Sequence, residues 1–211
     1  MEERAQRNRR LVLLASGNGS NVQAVLDACS GGRLRGLAAV EAVVTNRPAR
    51  ALDRASAMGV PSVLVAPRSG EQRADYDARL ADVVAGFDPD LVVLAGWMRI
   101  LTSSFLGWFP ERVINLHPAL PGELPGTHAI QRAWDEARAG GRTRTGVMVH
   151  RVPDEGVDTG PTLASVEVPI LPDDTLEHLE RRIHDAEHTL LVATIRSICA
   201  DALRHDMEQP A

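Results

Sequence analysis

The sequence predicts an α/β fold: a single Rossmann-like domain with a mostly parallel, twisted sheet, helices on both faces and an antiparallel C-terminal extension. Its 211 residues, 44% of them hydrophobic, can build one substantial core but leave no room for a second large domain. Short apolar runs alternate with segments of helical periodicity, which is the pattern of a parallel sheet covered by helices. Two later apolar runs and one long helical segment predict the extension.

The first strand is predicted over Leu11–Ala15, an unbroken apolar run that opens into a glycine-rich loop. A helix over Asn21–Cys29 follows, because apolar residues recur there at helical spacing. The same alternation continues along the chain. It predicts strands over Leu37–Thr45, Ser62–Val65, Leu91–Ala95 and Val113–Leu116, and helices over Ala49–Met58, Arg73–Gly86 and Ser103–Trp108.

The C-terminal third predicts a helix over Ala129–Arg138 and then two strands, Gly146–Arg151 and Thr162–Val168, on either side of a loop. A long helix begins at about Thr175, since leucines and isoleucines trace one face of the remaining segment. In a sheet of this kind, ligands bind at the carboxyl ends of the strands. We therefore look for functional residues just after each predicted strand.

Composition excludes several classes of protein. A net charge of −5 and a pI near 5.8 argue against a nucleic-acid partner, and no apolar run approaches the ~20 residues of a membrane span. Cys29 and Cys199 lie on predicted apolar helix faces, so we expect reduced core thiols. Residues 1–10 are charged rather than apolar, which predicts a disordered extension before a domain over 11–205 and a cytoplasmic protein. The sequence leaves the oligomeric state open, and a homodimer is one of its alternatives.

The loop after the first strand has the features of an anion-binding site. It reads Ser-Gly-Asn-Gly-Ser-Asn over Ser16–Asn21 and leads directly into a helix. Glycines let the backbone approach a ligand, and the N–H groups and dipole of a helix start favour a phosphate. The third glycine of a dinucleotide fingerprint would fall at Val22, so a single phosphate fits better. The alternative is a turn that binds no ligand.

Asn115 and His117 lie two residues apart at the end of a predicted strand, so both side chains point to the same face. The amide can donate a hydrogen bond to an oxyanion, and the imidazole can transfer a proton at neutral pH. Asp158, in a loop bounded by glycines, could orient and charge the imidazole. The alternative is a strand that ends in a polar cap, with Pro118 breaking it.

Four segments carry a family resemblance: Ala15–Asn21, Leu94–Leu101, Ile114–Pro118 and Asp154–Pro161. In this order they resemble the signature segments of the phosphoribosylglycinamide formyltransferase family of folate-dependent enzymes, and the resemblance extends from about Leu11 to His205. It implies transfer of the formyl group of 10-formyltetrahydrofolate to the amine of 5'-phosphoribosylglycinamide in purine biosynthesis. It also implies small-molecule substrates, folate as cosubstrate, no metal and no covalent enzyme intermediate.

The resemblance implies a role for each matching residue of the reaction centre. Asn115 matches the oxyanion donor, which also contacts the folate, and His117 matches the general acid. Asp158 matches the carboxylate that keeps His117 charged, and His128 matches a nearby helper histidine.

The resemblance also implies two binding regions. Gly19, Ser20 and Asn21 match the cradle for the substrate phosphate, and Glu187 matches the residue that binds the amino end of the glycinamide. The residues that match the folate wall are Arg73, Met98, Arg99, Ile100 and Leu101. A cation such as Arg99 beside an apolar strand requires an acidic or carbonyl partner.

Two features depart from this interpretation. Glu123 stands where the commoner family pattern has a lysine, which changes the sign of the charge beside the site. His184 and His188 belong to an H-x-x-E-H pattern typical of inverted zinc proteases, but zinc would need a third protein ligand. We interpret that pattern as a solvated helix face.

Other functions share the same motifs. A sugar-nucleotide formyltransferase and a 10-formyltetrahydrofolate hydrolase are the enzyme alternatives, although a hydrolase or a methionyl-tRNA formyltransferase would be expected to carry a further domain. A non-catalytic nucleotide-binding module would keep the glycine loop but would not need Asn115, His117 and Asp158 together.

Overall fold

The computed structural model describes residues 7–208, with side chains described for residues 7–204. These residues form one seven-stranded sheet and six α-helices. In chain order the elements are β1 (Arg9–Ala15), α1 (Ser20–Ser30), β2 (Ala38–Thr45), α2 (Arg50–Ala57), β3 (Ser62–Leu64), α3 (Arg73–Ala85), β4 (Leu91–Leu94), α4 (Ser103–Leu106), β5 (Val113–His117), α5 (Ala129–Arg138), β6 (Arg144–Arg151), β7 (Thr162–Pro169) and α6 (Leu176–Glu208).

The strand order is β3-β2-β1-β4-β5-β6-β7. The first five of these strands are parallel to one another, whereas β6 and β7 pair antiparallel. This arrangement confirms the predicted α/β class with its antiparallel C-terminal extension. Because β1, β4 and β5 are adjacent and parallel, their carboxyl ends open at the same edge of the sheet.

Both faces of the sheet are buried, because alternate residues of each central strand enter different cores. On β1, Leu11 and Leu13 belong to the core that also holds residues of α1, α5 and α6, whereas Val12 and Leu14 face the core built with α3 and α4. All four side chains are fully buried. Burying each such side chain stabilises the fold by about 1.5–3 kcal/mol. The sheet is therefore a rigid platform for the loops at its carboxyl edge.

The predicted boundary of the N-terminal extension is wrong. Strand β1 begins at Arg9, so the sheet includes two residues that we expected in a disordered extension over 1–10. The backbone N–H of Arg9 donates to the Leu37 carbonyl at 2.8 Å, and that of Arg10 donates to Asp90 Oδ2 at 2.8 Å. The Arg10 guanidinium also donates to the Phe87 carbonyl at 2.7 Å. Apolar periodicity could not predict this pairing, and residues 1–6 lie outside the described part.

The start of α6 is fixed by a buried carboxylate. Asp174 accepts hydrogen bonds at 2.7 Å from both terminal nitrogens of Arg182 and at 2.8 Å from the backbone N–H of Leu171. The Arg182 guanidinium is the main cause that lowers the pKa of Asp174 to about 2. Arg182 also donates to the Pro169 carbonyl at 2.7 Å, so the pair joins the end of β7 to α6.

The two cysteines of the chain carry free thiols. Burial is the main cause that raises the pKa of Cys29 to about 12 and that of Cys199 to about 11, so both thiols stay protonated at neutral pH. Of the helices described, none is long and apolar enough to span a membrane.

Candidate active site

A cleft runs along the carboxyl edge of the sheet, across the ends of β1, β4 and β5. It consists of two adjoining cavities that share part of their walls. The shared residues are Gly96, Met98, Leu116, Pro118, His128 and Ala129. The first cavity contains the end of β5 and the residues that follow β4, and the second contains the glycine-rich loop and part of α6. The cleft can thus hold two ligands, or one long one, side by side.

Asn115, His117 and Asp158 meet in the first cavity, as the sequence predicts. Nδ2 of Asn115 donates to Oδ1 of Asp158 at 3.0 Å, and Nδ1 of His117 lies 3.3 Å from Oδ2 of the same carboxylate. Alternation along β5 places both strand residues on the same side, and Asp158 reaches them from a loop where its own φ is +54°. A non-glycine residue in this left-handed region costs about 1–2 kcal/mol, which the surrounding bonds must offset.

The carboxylate of Asp158 is held ionised by its neighbours. Burial raises its pKa, but the nearby ring of His150 and the hydrogen bond from the backbone N–H of Gly126 outweigh that effect, and the pKa lies below its ordinary value. The Gly126 bond measures 2.7 Å. Asp158 is therefore a fixed negative charge at the centre of the site.

The imidazole of His117 has an acceptor at each nitrogen. Nδ1 faces Asp158, and Nε2 lies 3.0 Å from the Leu124 carbonyl oxygen. Burial lowers the pKa of His117 below its ordinary value, although Asp158 and the Leu124 carbonyl both raise it. Asp158 thus favours the charged ring, as expected, but burial outweighs its effect. Negative charge that develops beside the ring raises the pKa of His117 again.

His150 is a site residue that the sequence reasoning missed. It lies opposite Asn115 in the antiparallel pair of β5 and β6, and its Nε2 is 3.1 Å from Asn115 Nδ2 and 3.4 Å from Asp158 Oδ1. Its Nδ1 lies 2.8 Å from the Arg151 carbonyl oxygen, which makes Nδ1 the protonated nitrogen of the neutral ring. The available signal was a histidine inside the predicted strand Gly146–Arg151, but only the register of β6 brings it to the site.

The predicted helper His128 also lines the cleft. It precedes α5 in a left-handed conformation with φ of +58° and belongs to the wall that both cavities share. The structure places it beside the site without a direct bond to His117 or Asp158 in the described part of the chain.

The glycine-rich loop forms one end of the second cavity. Gly19, Ser20 and Asn21 all line it, at the N-terminus of α1. Gly19 has a φ of +74°, and a Cβ there would lie 2.7 Å from the Cβ of Ala51. The loop is therefore packed tightly against α2, so glycine is needed for the fold as well as for access to a ligand.

Arg47, which sequence reasoning did not single out, brings a cation to the same cavity. Its Nε donates to the carbonyl of Ser16, the first residue of the glycine-rich loop, at 2.5 Å. Together with the helix N-terminus, this guanidinium makes the end of the cavity favourable for an anion.

Glu187 lines the second cavity from α6 and is 95% buried. Its Oε2 accepts hydrogen bonds from Asn21 Nδ2 at 3.3 Å and from His184 Nδ1 at 2.7 Å. The bond to Glu187 is the main cause that raises the pKa of His184. His184 thus partners a carboxylate, and in the described residues no group of three or more metal-ligating side chains could hold a metal ion.

The predicted folate wall lies in the first cavity, with one exception. Met98 and Ile100 expose 60% and 42% of their surface there, whereas Leu101 is buried beneath them. Arg99 also lines the cavity, and its guanidinium stacks on the ring of Tyr76 at 4.6 Å. The expected acidic or carbonyl partner is thus replaced by an aromatic face, whose quadrupole also attracts a cation.

Arg73 is the exception, because it does not line the cleft. Its guanidinium pairs with Glu155 at 2.6 Å, and both side chains are about half exposed. Glu155 also accepts from the Ser103 N–H at 3.3 Å, so the pair links the start of α3 to the loop that carries Asp158.

Glu123 points away from the reaction centre. Its carboxylate pairs with Arg142 and lies 3.6 Å from Arg144, at the start of β6. The charge reversal that the sequence shows beside the site is therefore neutralised locally.

Together these features define an α/β enzyme of the group-transfer class. Its second cavity favours an anion, and its first cavity combines an apolar wall with an Asn–His–Asp group able to stabilise an oxyanion. The formyl transferase family matches residues 9–195. The chain belongs to this family.

Relatives and solved structures are similar over almost the whole chain. The phosphoribosylglycinamide formyltransferase of Schizosaccharomyces pombe is 46% identical over 202 residues, which cover 90% of this chain and 97% of that protein. The Mycobacterium tuberculosis H37Rv protein of the same name is 42% identical over 189 residues, with 90% and 84% covered. The crystal structure of glycinamide ribonucleotide transformylase 1 from Symbiobacterium toebii has a TM-score of 0.86 and 36% identity, and covers 95% of this chain and 92% of that chain.

Proposed function

We propose that this protein transfers the formyl group of 10-formyltetrahydrofolate to the amine of 5'-phosphoribosylglycinamide. The observation that carries the proposal is that Asn115, His117 and Asp158 line the first cavity together with an apolar wall, and that this cavity adjoins the one lined by the glycine-rich loop. The names of the similar proteins support the same substrates. Membership of the formyl transferase family supports folate as the cosubstrate.

The substrate phosphate binds at the second cavity, against Gly19, Ser20 and Asn21. The helix N-terminus and Arg47 supply the positive potential there. Glu187 binds the amino end of the glycinamide, because it is the buried carboxylate of that cavity. The amine must be neutral to attack, and hydrogen bonding to a carboxylate oxygen orients its lone pair away from Glu187.

The folate binds in the first cavity. Its ring system packs against the exposed side chains of Met98 and Ile100, with Leu101 and Arg99 forming the floor and side of that wall. Asn115 lies next to this wall and contacts the formyl-bearing part of the folate. Arg73, which pairs with Glu155 outside the cleft, contacts the charged tail of the folate in this proposal rather than its rings.

The attack of the amine on the formyl carbon places negative charge on the formyl oxygen. Asn115 and His117 stabilise that charge by hydrogen bonding. Both Nδ2 protons of Asn115 are already directed to Asp158 and His150, so the oxyanion must take one of these bonds over. The developing charge also raises the pKa of His117, which favours the protonated ring beside the oxyanion.

The proton balance closes through Asp158. The attacking amine loses one proton, and N10 of the folate gains one as its bond to the formyl carbon breaks. The ionised carboxylate of Asp158 accepts the amine proton, directly or through a water molecule, and then passes it to N10 of the folate. No nucleophilic side chain bonds to the formyl group in this scheme.

A substrate-dependence assay tests the proposal. Purified protein is mixed with 10-formyltetrahydrofolate, with and without 5'-phosphoribosylglycinamide, and deformylated folate is followed spectroscopically. We expect deformylation only when the amine substrate is present. Equally fast deformylation without it would establish a hydrolase instead, and activity with an amino-sugar nucleotide but not with the ribonucleotide would establish a sugar-nucleotide formyltransferase.

A further inference from the structure

The loop that covers His117 is held in an unusual conformation. Over residues 122–126, three backbones are left-handed: Gly122 with φ of +77°, Leu124 with φ of +47° and Gly126 with φ of +81°. Glycine adopts this region freely, but leucine does not. The conformation of Leu124 therefore has to be maintained by contacts outside the loop.

This loop contacts both members of the His–Asp pair. The Leu124 carbonyl oxygen is 3.0 Å from Nε2 of His117, and the Gly126 N–H donates to Oδ2 of Asp158 at 2.7 Å. Leu124, with its left-handed backbone, carries the first of these contacts, and only Pro125 separates it from the second. A change in the loop would thus move the acceptor of His117 and the donor to Asp158 together.

Arg132, in the first turn of α5, holds the loop in place. Its Nη2 donates to the Leu124 carbonyl at 2.7 Å and to the Pro125 carbonyl at 2.6 Å. A guanidinium bridges two adjacent carbonyls well, because its donors are rigid and always protonated. Arg132 is only partly exposed, which limits competition from water.

We propose that Arg132 is a positioning residue that fixes the ring of His117 with its Nε2 protonated and its exchangeable proton on Nδ1. Both ring nitrogens face an acceptor, but only the contact of Nε2 with the Leu124 carbonyl, at 3.0 Å, has hydrogen-bond geometry, whereas Nδ1 lies 3.3 Å from Asp158 without it. The anchored carbonyl therefore favours a proton on Nε2 when the ring is neutral. The proton that His117 gains and loses is then the one on Nδ1, beside Asp158.

The tautomer is measured directly by two-bond ¹H–¹⁵N NMR of the histidine rings, with the His117 signal assigned from its loss in His117→Gln. This measurement uses the protein alone and does not depend on the proposed reaction. In the wild type, we expect the Nε2–H tautomer of the neutral ring. Arg132→Gln removes the two-carbonyl bridge and should give a mixture of both tautomers, whereas Arg132→Lys, which retains a cation, should restore part of the preference.

Kinetics supply the second measurement, and this part rests on the proposed function. Arg132→Gln should lower kcat by between about 10- and 100-fold with little change in either KM, since misplacement of a catalytic group has effects of this size. The matched control is Arg138→Gln in the last turn of α5, where the guanidinium lies over the ring of Trp134 at 5.5 Å. This control should retain the wild-type tautomer and rate.

Thermal unfolding of all variants separates positioning from folding. A lower Tm for Arg132→Gln with an unchanged His117 tautomer would overturn the proposal and leave a purely structural role. A wild-type tautomer in Arg132→Gln at unchanged Tm would overturn it as well. If Arg132→Gln does not fold, the tautomer is read in Arg132→Lys, where the Nε2–H form should be less populated than in the wild type. An unchanged population there, or a dominant Nδ1–H form in the wild type, would contradict the proposal.

Discussion

Asn115 donates a hydrogen bond from Nδ2 to Oδ1 of Asp158 at 3.0 Å, and the second Nδ2 proton is directed to His150 at 3.1 Å. The group expected to stabilise an oxyanion is thus fully occupied before any substrate binds. Such preorganisation fixes the direction of the amide, but the oxyanion has to compete with Asp158 or His150 for it. The energetic contribution of Asn115 to catalysis is therefore the difference between two hydrogen bonds.

The first prediction concerns the two strand residues of the site. His117→Ala and Asn115→Ala should each lower kcat by roughly 10²- to 10⁴-fold, because they remove a proton donor or an oxyanion donor. Steady-state kinetics measure the loss, and far-UV circular dichroism with thermal unfolding confirms that the variants are folded. His178→Ala, an exposed histidine on α6 outside the cleft, is the control. A near-wild-type rate for folded His117→Ala would remove this residue from the mechanism.

The second prediction concerns Asp158→Asn. Asp158 raises the pKa of His117, which burial already lowers. Loss of its charge should lower that pKa further, so the high-pH limit of a rate that needs the protonated ring should move to lower pH. The value of kcat should fall as well, because the proton route is lost. The pH profile of kcat from about pH 5 to 9 measures both effects, and an unshifted profile would show that Asp158 does not act on His117.

The double variant His117→Ala with Asp158→Asn tests whether the two residues act as a unit. If they do, its loss in kcat should be much smaller than the product of the two single losses. Strictly multiplicative losses would mean that the residues act independently.

The element order, the antiparallel extension and the meeting of Asn115, His117 and Asp158 could be predicted from the sequence. Alternating apolar runs determine which segments form strands, and parallel strands place their carboxyl ends at one edge. His150 could not be predicted, because its position depends on the register between β5 and β6. A shift of one residue would turn it to the opposite face.

The partners of individual side chains could not be predicted from the sequence either. Arg99 stacks on Tyr76, and Arg73 pairs with Glu155, which is 82 residues further along the chain. No local pattern specifies such contacts, because they depend on how α3 packs beside the loops of the cleft. The same is true of Glu123, whose charge is neutralised by Arg142, 19 residues further along the chain.

The fourth prediction concerns Gly19, whose substitution we expect to act on the fold as well as on ligand binding. A Cβ at this position would lie 2.7 Å from the Cβ and 2.8 Å from the Cα of Ala51, and the φ of +74° is unfavourable for alanine. Gly19→Ala should therefore destabilise the protein by about 1–3 kcal/mol, measured by denaturant unfolding.

Gly17→Ala is the matched control for this change, since a Cβ there has nothing within 4 Å. Gly17→Ala should leave the free energy of unfolding unchanged. If both glycines tolerate alanine equally well, the contact between Gly19 and Ala51 does not constrain the loop.

The last prediction concerns the pH dependence of stability at Asp174. Its pKa of about 2 in the folded protein lies below the ordinary value of 3.8, chiefly because of Arg182. A carboxylate with a lowered folded pKa contributes stability that is fully present above its unfolded pKa and is lost as the pH falls towards the folded pKa. Asp174→Asn should therefore lower Tm by roughly 2–8 °C at pH 7.

The difference in stability between wild type and Asp174→Asn should be constant above about pH 5 and should narrow steadily below about pH 4. Thermal or denaturant unfolding between pH 3 and pH 7 measures it. Asp173→Asn, at the adjacent exposed position, is the matched control and should behave like the wild type at every pH. A difference that stays constant down to pH 3 would show that the Asp174 charge does not stabilise the start of α6, and that the loss comes from altered packing.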